Sequence, residues 1–136
     1  MTQTAETEAA VARPGTWILG VAAFVAGWLV PGLGHALLRR WTRAAVFCVS
    51  TTALAAAGVE LHGAVFGPHP AGPFEWLGFL ADAGSGVLYF AARSVNIAAD
   101  VSRAAGDYGT RFFAAAGALN LLCAFDAYAI ATGRKK

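Results

Sequence analysis

The sequence has little charge and few cysteines, and both shortages exclude common classes of protein. Only 13% of the 136 residues are charged, whereas a soluble domain carries about 25%. The net charge of +2 is too small to indicate a nucleic-acid partner. Cys48 and Cys123 are the two cysteines, and each lies inside an apolar run. The sequence therefore predicts neither a zinc site nor a disulfide framework.

The residue patterns of enzymes are also missing from the chain. No paired acid and base, metal-ligand cluster, phosphate-binding glycine loop or activated nucleophile occurs at a diagnostic spacing. His62 and His69 lie seven residues apart in a segment rich in proline and glycine, without a carboxylate or cysteine framework. We therefore interpret both as loop histidines and predict no enzyme activity, no metal site and no cofactor.

Apolar residues, by contrast, are abundant. They make up 57% of the chain, and the mean hydropathy is +0.56. A small domain cannot hide this excess in a core, because much of its surface stays exposed. The sequence predicts an all-α integral membrane protein, with the lipid bilayer as its main partner. It leaves open a homo-oligomer or a membrane-protein partner.

The chain divides into a polar tail at residues 1–15 and a single membrane domain at residues 16–136. Four apolar runs predict a four-span bundle with spans at about 16–38, 43–60, 74–93 and 109–132. The third run contains two acids and three flexible residues at 84–86, so three spans plus a re-entrant or interfacial segment is the alternative. Residues 16–38 fit either one kinked span or a short helix followed by a re-entrant turn and a half-helix.

The centre of the predicted fold is a turn motif, Pro31-Gly32-Leu33-Gly34-His35. Pro31 cannot donate a backbone hydrogen bond, and the glycines allow backbone angles that other residues avoid. We expect His35 to cap or pin this turn, and a proton-carrying or ligand role is the alternative. The small residues that precede the turn at helical spacing predict close helix packing on one face: Gly20, Ala23 and Gly27.

Basic residues and a tryptophan follow the turn and indicate the lipid headgroup layer: Arg39, Arg40, Trp41 and Arg43. They predict a cytoplasmic first loop. With four spans, both termini then lie on the opposite, non-cytoplasmic side. The count of basic residues does not decide between four and three spans, because both arrangements give six against four.

Polar residues within the runs are the candidate intramembrane site: Asp82, Asn120 and Asp126. Acids inside a membrane either pair with cations or mark an ion pathway. We expect pairing, with Arg93 and Arg111 as the candidate partners, and hence a structural, partner-binding or lipid-organising membrane protein. A proton or small-solute pathway is the alternative, and it requires at least two of the three polar residues to converge inside the bundle, or an oligomer that encloses them.

Several motifs resemble those of known membrane families. The Pro-Gly-x-Gly turn followed by basic residues is similar to that of two-span membrane domains carrying this signature. From about Trp17 to Arg134 the chain resembles DUF6677, a family of small bacterial membrane proteins of unknown function. Three further segments carry the resemblance: Gly86-Val87-Leu88-Tyr89-Phe90 with Arg93, Tyr108-Gly109-Thr110-Arg111-Phe112, and Ala116 through Leu122 with Asp126-Ala127-Tyr128.

The chain departs from the family pattern after His35. It has Ala36-Leu37-Leu38 where the family tends to have Tyr-Leu-Gly, so any contact that the family's aromatic residue makes there is absent from this chain. The resemblance implies a compact multi-pass bundle of the bacterial inner membrane and brings no activity with it.

Overall fold

A computed structural model describes residues 16–95 and 98–135, so the predicted polar tail at 1–15 lies outside the described residues. Every regular element in these two ranges is a helix, which confirms the predicted all-α class. Six helices follow one another along the chain: α1 (Thr16–Leu29), α2 (Leu33–Leu37), α3 (Trp41–Glu60), α4 (Pro73–Ala83), α5 (Val87–Val95) and α6 (Ala104–Ala131).

The long helices α3 and α6 form an antiparallel pair. A Cβ added to Gly58, near the end of α3, would lie 2.8 Å from the carbonyl oxygen of Gly109, near the start of α6. At the other end, Arg43 contacts Asp126. Length and composition make these two helices the candidate membrane spans. They correspond to the predicted runs 43–60 and 109–132, although α6 begins five residues earlier than expected.

Residues 16–37 fold back on themselves, and we name them the first hairpin. Gly32 has a left-handed φ of 84° and turns the chain between α1 and α2. A Cβ on Gly34 would lie 2.3 Å from the carbonyl oxygen of Ala23, so α2 returns directly along α1. The run 16–38 is therefore a short helix, a turn and a second short helix, as one of the two predictions for this run had it, and not one kinked span.

Residues 73–95 also fold back, and we name them the second hairpin. The turn between α4 and α5 contains Gly86, whose φ of 62° again lies in the left-handed region. The rings of Phe79 and Tyr89 come within 6.1 Å of each other across the hairpin. A continuous helix would separate these two residues by about 15 Å. The predicted single span at 74–93 is thus replaced by two short helices, because the 84–86 segment breaks the run.

The two hairpins enter the bundle from opposite ends. In the first hairpin, Gly20 near the start of α1 packs against Thr132 and Tyr128, beside the last turn of α6. In the second hairpin, the chain leaves α5 toward Asp100, whose backbone N–H donates to the carbonyl of His62, 3.0 Å away. The four-span prediction is therefore not confirmed, since two described helices are long and apolar enough to cross a membrane.

Small residues dominate the buried interior and let the helices approach closely. The face of α6 that meets its neighbours carries Ala116, Gly117, Ala124 and Ala127, all buried. Phe113 is the largest of the fully buried side chains. Close backbone packing of this kind is typical of helices that associate in lipid. Helix α6 contacts α1, α2, α3 and α4, so it is the central element of the bundle.

Candidate functional site

The tips of the two hairpins meet beside Asn120 of α6, and we name this meeting point the hairpin junction. The Trp28 indole Nε1–H donates to the carbonyl of Ala83 at 3.1 Å. The Asn120 amide Nδ2 donates to the carbonyls of Trp28 at 2.8 Å and Gly84 at 2.9 Å. A helix leaves its last carbonyls without intrahelical partners. Asn120 therefore supplies one such partner to each hairpin.

At two positions of the hairpin junction, the backbone is packed too closely for any residue larger than glycine. A Cβ on Gly86 would lie 2.0 Å from the carbonyl oxygen of Trp28. A Cβ on Gly117 would lie 1.7 Å from the carbonyl oxygen of Ala81. Both contacts are with backbone atoms, which cannot rotate away. The two glycines thus let the hairpin tips reach each other and reach α6.

Asp82 is a fully buried acid next to this junction. Its Oδ2 accepts a hydrogen bond of 2.8 Å from the backbone N–H of Phe66. Its Oδ1 has no hydrogen-bond partner among the described residues, and the same is true of the Asn120 Oδ1. Burial of a polar atom without a partner is costly. The hairpin junction therefore contains two unused acceptor oxygens.

The predicted arginine partners of Asp82 are wrong. The Arg93 guanidinium lies over the Tyr89 ring, 5.8 Å from its centroid. Arg111 pairs with Asp107 at 2.7 Å, one turn before it on α6. Asp82 instead bonds to a backbone N–H of the loop at 61–72, and this partner follows from the fold rather than from nearness in sequence.

Asp126 has three basic partners and lies at the end of the bundle where α6 finishes. Its Oδ2 is 3.0 Å from the Nε2 of His35 and 3.5 Å from an Nη of Arg43. Its Oδ1 contacts the Nζ of Lys135. An arginine partner was expected for Asp126, but it is Arg43 and not Arg111. His35 is only 1% exposed, so the carboxylate ties the buried turn motif to α6.

The three candidate polar residues thus separate into two places. Asp82 and Asn120 both belong to the hairpin junction, through Gly84 and the end of α4. Asp126 lies six residues after Asn120 on α6, about 9 Å along the axis, and faces the first hairpin's return helix. Asp126 therefore lies apart from the other two, and the side chains of Asp82 and Asn120 bond to different groups, the N–H of Phe66 and the carbonyls of Trp28 and Gly84.

The predicted headgroup residues lie at the same end of the bundle as Asp126. We name this end the basic end, and its basic residues are Arg39, Arg40, Arg43, Arg134 and Lys135. Arg40 precedes the first residue of α3, and Trp41 is exposed. Arg39 has a left-handed φ of 59° where α2 gives way to α3. Because Lys135 and Arg43 share one carboxylate, Lys135 lies beside the first loop. The four-span prediction, which put these two cations on opposite sides of the membrane, is therefore not confirmed.

Sequence reasoning missed a groove beside the basic end. It lies between α1 and α6, has a volume of about 510 Å³, and is lined by Val21, Phe24, Phe125, Tyr128, Ala129 and Arg134. The three- and four-residue spacing from 125 to 129 places side chains on one helical face. That spacing was the available signal, but the partner face on α1 cannot be known without the fold.

No group of three or more described His, Cys, Asp or Glu residues could hold a metal ion.

These observations define an all-helical protein with two candidate membrane spans and two hairpins that meet inside the bundle. Residues 22–136 match the family described as "Family of unknown function (DUF6677)", and the chain belongs to this family. The match confirms the family resemblance predicted from the turn motif and the later segments. No curated protein and no solved structure matches the chain.

Proposed function

We propose that the chain is a multi-pass protein of the bacterial inner membrane that binds lipid or a membrane partner and performs no catalysis. In this proposal α3 and α6 cross the bilayer, and the two hairpins are re-entrant. The apolar surface is the observation that carries it. Val49 on α3 is 68% exposed and Leu122 on α6 is 67% exposed, and large apolar side chains are exposed on all the other helices as well. Soluble monomers rarely expose apolar surface so widely.

The basic residues support one orientation of this topology. Of the eight described Lys and Arg residues, five belong to the basic end: Arg39, Arg40, Arg43, Arg134 and Lys135. Three belong to the other end: Arg93, Arg103 and Arg111. Loops rich in Lys and Arg stay in the cytoplasm. The proposal therefore puts the basic end and the C-terminus in the cytoplasm, where four spans would put the C-terminus outside.

A scaffold role agrees with the packing of the hairpin junction. Irregular backbone at membrane depth is tolerated where protein buries it and supplies its hydrogen bonds. Asn120 supplies such bonds, and Gly86 and Gly117 bring the elements into backbone contact. The turn motif and Asp126 then act as structural residues that hold the first hairpin in place.

Cysteine labelling in intact cells tests this topology. In a chain with Cys48 and Cys123 changed to alanine, single cysteines replace three exposed residues, Thr42, His69 and Ser102. A membrane-impermeant maleimide added from outside should label positions 69 and 102 and leave 42 unlabelled. A reporter fused to the C-terminus should be cytoplasmic. The four-span bundle gives the opposite result at 102 and for the reporter, so that pair of outcomes refutes two re-entrant hairpins.

A second candidate function is a proton or small-solute pathway at Asp82 and Asn120. The observation that favours it is the unused Oδ1 of each residue at the point where two broken helices meet. Broken helices at mid-membrane form the ion and substrate sites of many transporters. Asp126 is no longer part of this pathway, since it is paired at the basic end.

Flux into vesicles separates the two candidates. The purified chain is reconstituted and proton or small-cation flux is followed with an entrapped dye. The scaffold proposal predicts the background rate of empty vesicles. Flux that disappears in a well-folded Asp82→Asn protein and persists in Arg43→Gln would overturn the scaffold role and establish the pathway.

A further inference from the structure

The groove between α1 and α6 has an apolar floor and a cation at its rim. Phe24 and Phe125 form the floor, with ring centroids 4.9 Å apart. Tyr128 and Ala129 continue the groove toward the basic end, and Arg134 closes it. Tyrosine and arginine are the residues that settle at the headgroup level of a bilayer. The groove thus runs from an apolar interior to a charged mouth.

The cap of α6 fixes the position of this cation. Gly133 has a left-handed φ of 74° and ends the helix. The backbone N–H of Arg134 then donates to the carbonyl of Ala129 at 2.9 Å. This is the bond pattern of a glycine-terminated helix, in which the chain folds back over the last turn. Arg134 is therefore held beside Ala129, a residue that itself lines the groove.

Two other grooves contain cations, and a comparison shows which cation is available to a ligand. In the groove of Phe47, Leu119 and Leu122, the cations are Arg43 and Lys135, and both pair with Asp126. In the groove next to Trp28 and Pro68, the cation is Arg93, which lies over the Tyr89 ring. Arg134 has no carboxylate within ion-pairing distance among the described residues. Of the cations that line these three grooves, Arg134 is therefore the one best placed to take an external anion.

We propose that this groove binds one anionic phospholipid, with an acyl chain lying along the rings of Phe24 and Phe125 and the phosphate on Arg134. The inference rests on the proposed membrane location. Arginine binds phosphate through two parallel N–H···O bonds, and the apolar groove suits a hydrocarbon chain. A zwitterionic lipid fills the groove equally well but adds a positive charge next to Arg134. The site is therefore selective for an anionic headgroup such as that of phosphatidylglycerol.

Native mass spectrometry of the full chain in detergent tests the proposal, with phosphatidylglycerol and phosphatidylcholine added at equal concentration. The wild-type chain should retain phosphatidylglycerol preferentially. Arg134→Gln should weaken this binding about fivefold, the value expected for one basic residue at an anionic surface. Arg111→Gln is the matched control, because Arg111 pairs with Asp107 at the opposite end, and it should bind as the wild type does. Ala129→Trp fills the groove and should reduce retention of both lipids.

Each contrary result has a separate meaning. Unchanged phosphatidylglycerol binding by Arg134→Gln, in a variant whose thermal midpoint equals that of the wild type, overturns the site. Competition by glycerol phosphate as strong as that by the whole lipid shows a free phosphate site and also overturns the lipid assignment. A chain that floats with vesicles but shows no headgroup preference refutes this inference alone. A chain that does not insert into vesicles refutes the proposed function.

Discussion

The two hairpins share one design and differ in how it is anchored. Each is a helix, a turn through a left-handed glycine and a return helix, with Gly32 at φ 84° and Gly86 at φ 62°. In each, the third residue after that glycine is a buried ring with a polar atom, His35 in the first and Tyr89 in the second. His35 contacts the Asp126 carboxylate, and Tyr89 donates to the carbonyl of Phe66.

The difference lies in the packing of the outgoing helix. Helix α1 buries Gly20, Ala23 and Gly27 along its length. Helix α4 buries Asp82 near its end and leaves Phe74 86% exposed and Leu77 66% exposed. The first hairpin is thus packed against its neighbours along its whole length, and the second is fixed by its tip and by the ring of Phe66. In the proposed topology, the tip of a hairpin must have its hydrogen bonds satisfied, whereas its outer length can remain in contact with lipid.

The largest loss of stability is expected from a glycine-to-alanine substitution. Placing one such substitution in each hairpin tests the difference in packing. Gly34→Ala places a Cβ 2.3 Å from a backbone carbonyl of α1, which cannot move without separating the hairpin. Gly78→Ala in α4 meets the ring of Phe66 at 2.4 Å, and a ring can rotate. We expect a loss of about 3 kcal/mol or more for Gly34→Ala and about 1 kcal/mol for Gly78→Ala. Unfolding in SDS, followed by tryptophan fluorescence, measures both.

Gly72→Ala is the control for these two variants, because nothing lies within 4 Å of its added Cβ and its φ of −153° is open to alanine. It should unfold as the wild type does. Equal losses in Gly34→Ala and Gly78→Ala would contradict the view that the hairpins are anchored differently.

The second-largest loss of stability is expected from replacing Asn120, whose amide donates hydrogen bonds to both hairpins. Asn120→Leu removes the donor to the carbonyls of Trp28 and Gly84 and leaves both buried. We expect a loss of about 2–3 kcal/mol, since each unsatisfied buried group costs about 1–3 kcal/mol. Thr51→Val is the matched control, because the buried Thr51 hydroxyl makes no hydrogen bond among the described residues. If Thr51→Val is as damaging as Asn120→Leu, the amide bonds are not the cause.

The smallest changes in stability are expected from replacing the two acids, Asp126 and Asp82. Asp126→Asn weakens contacts with three basic groups and leaves His35 buried without its charged partner, and we expect a loss of about 1–2 kcal/mol. Asp82→Asn keeps an acceptor for the N–H of Phe66 and removes the need to bury an unpaired charge. It should be neutral or stabilising in the same unfolding measurement.

Arg43→Gln is the control for these two variants, because it removes one of the three basic partners of Asp126. The Arg43 side chain is 41% exposed, and Asp126 keeps His35 and Lys135 when it is lost. A change of at most about 1 kcal/mol is expected for such a partly exposed pair. A larger loss from Asp82→Asn than from Asp126→Asn would reverse the comparison and assign the main polar anchor to the second hairpin.

Local features of the fold followed from the sequence. The missing N–H of Pro31 and the freedom of Gly32 predict a break after residue 30, and α1 ends at Leu29. The spacing of Gly20, Ala23 and Gly27 predicts a buried face, and all three are buried. Each of these predictions depends on atoms within one or two turns of the chain, where sequence spacing and spatial distance agree.

Long-range features did not follow. The apolar length of 74–93 gives the amount of surface that lipid can cover but not the direction of the chain after the break at 84–86. The sequence offers Arg111, on the same helix, as the partner of Asp126, whereas its partners His35 and Arg43 lie 91 and 83 residues away. Their contact requires the antiparallel arrangement of α3 and α6, and the amphipathic pattern of either helix alone contains no information on it.

The position of Asn120 also determines when the protein can finish folding during synthesis. Both carbonyls that it serves, in Trp28 and Gly84, leave the ribosome before α6 does. Until α6 has been synthesised, neither carbonyl has this donor, and the carboxylate that contacts His35 has not been made. The two hairpins can therefore complete their packing only after residue 126 has been translated. A chain that stops before residue 104 should be degraded even though both hairpins are complete.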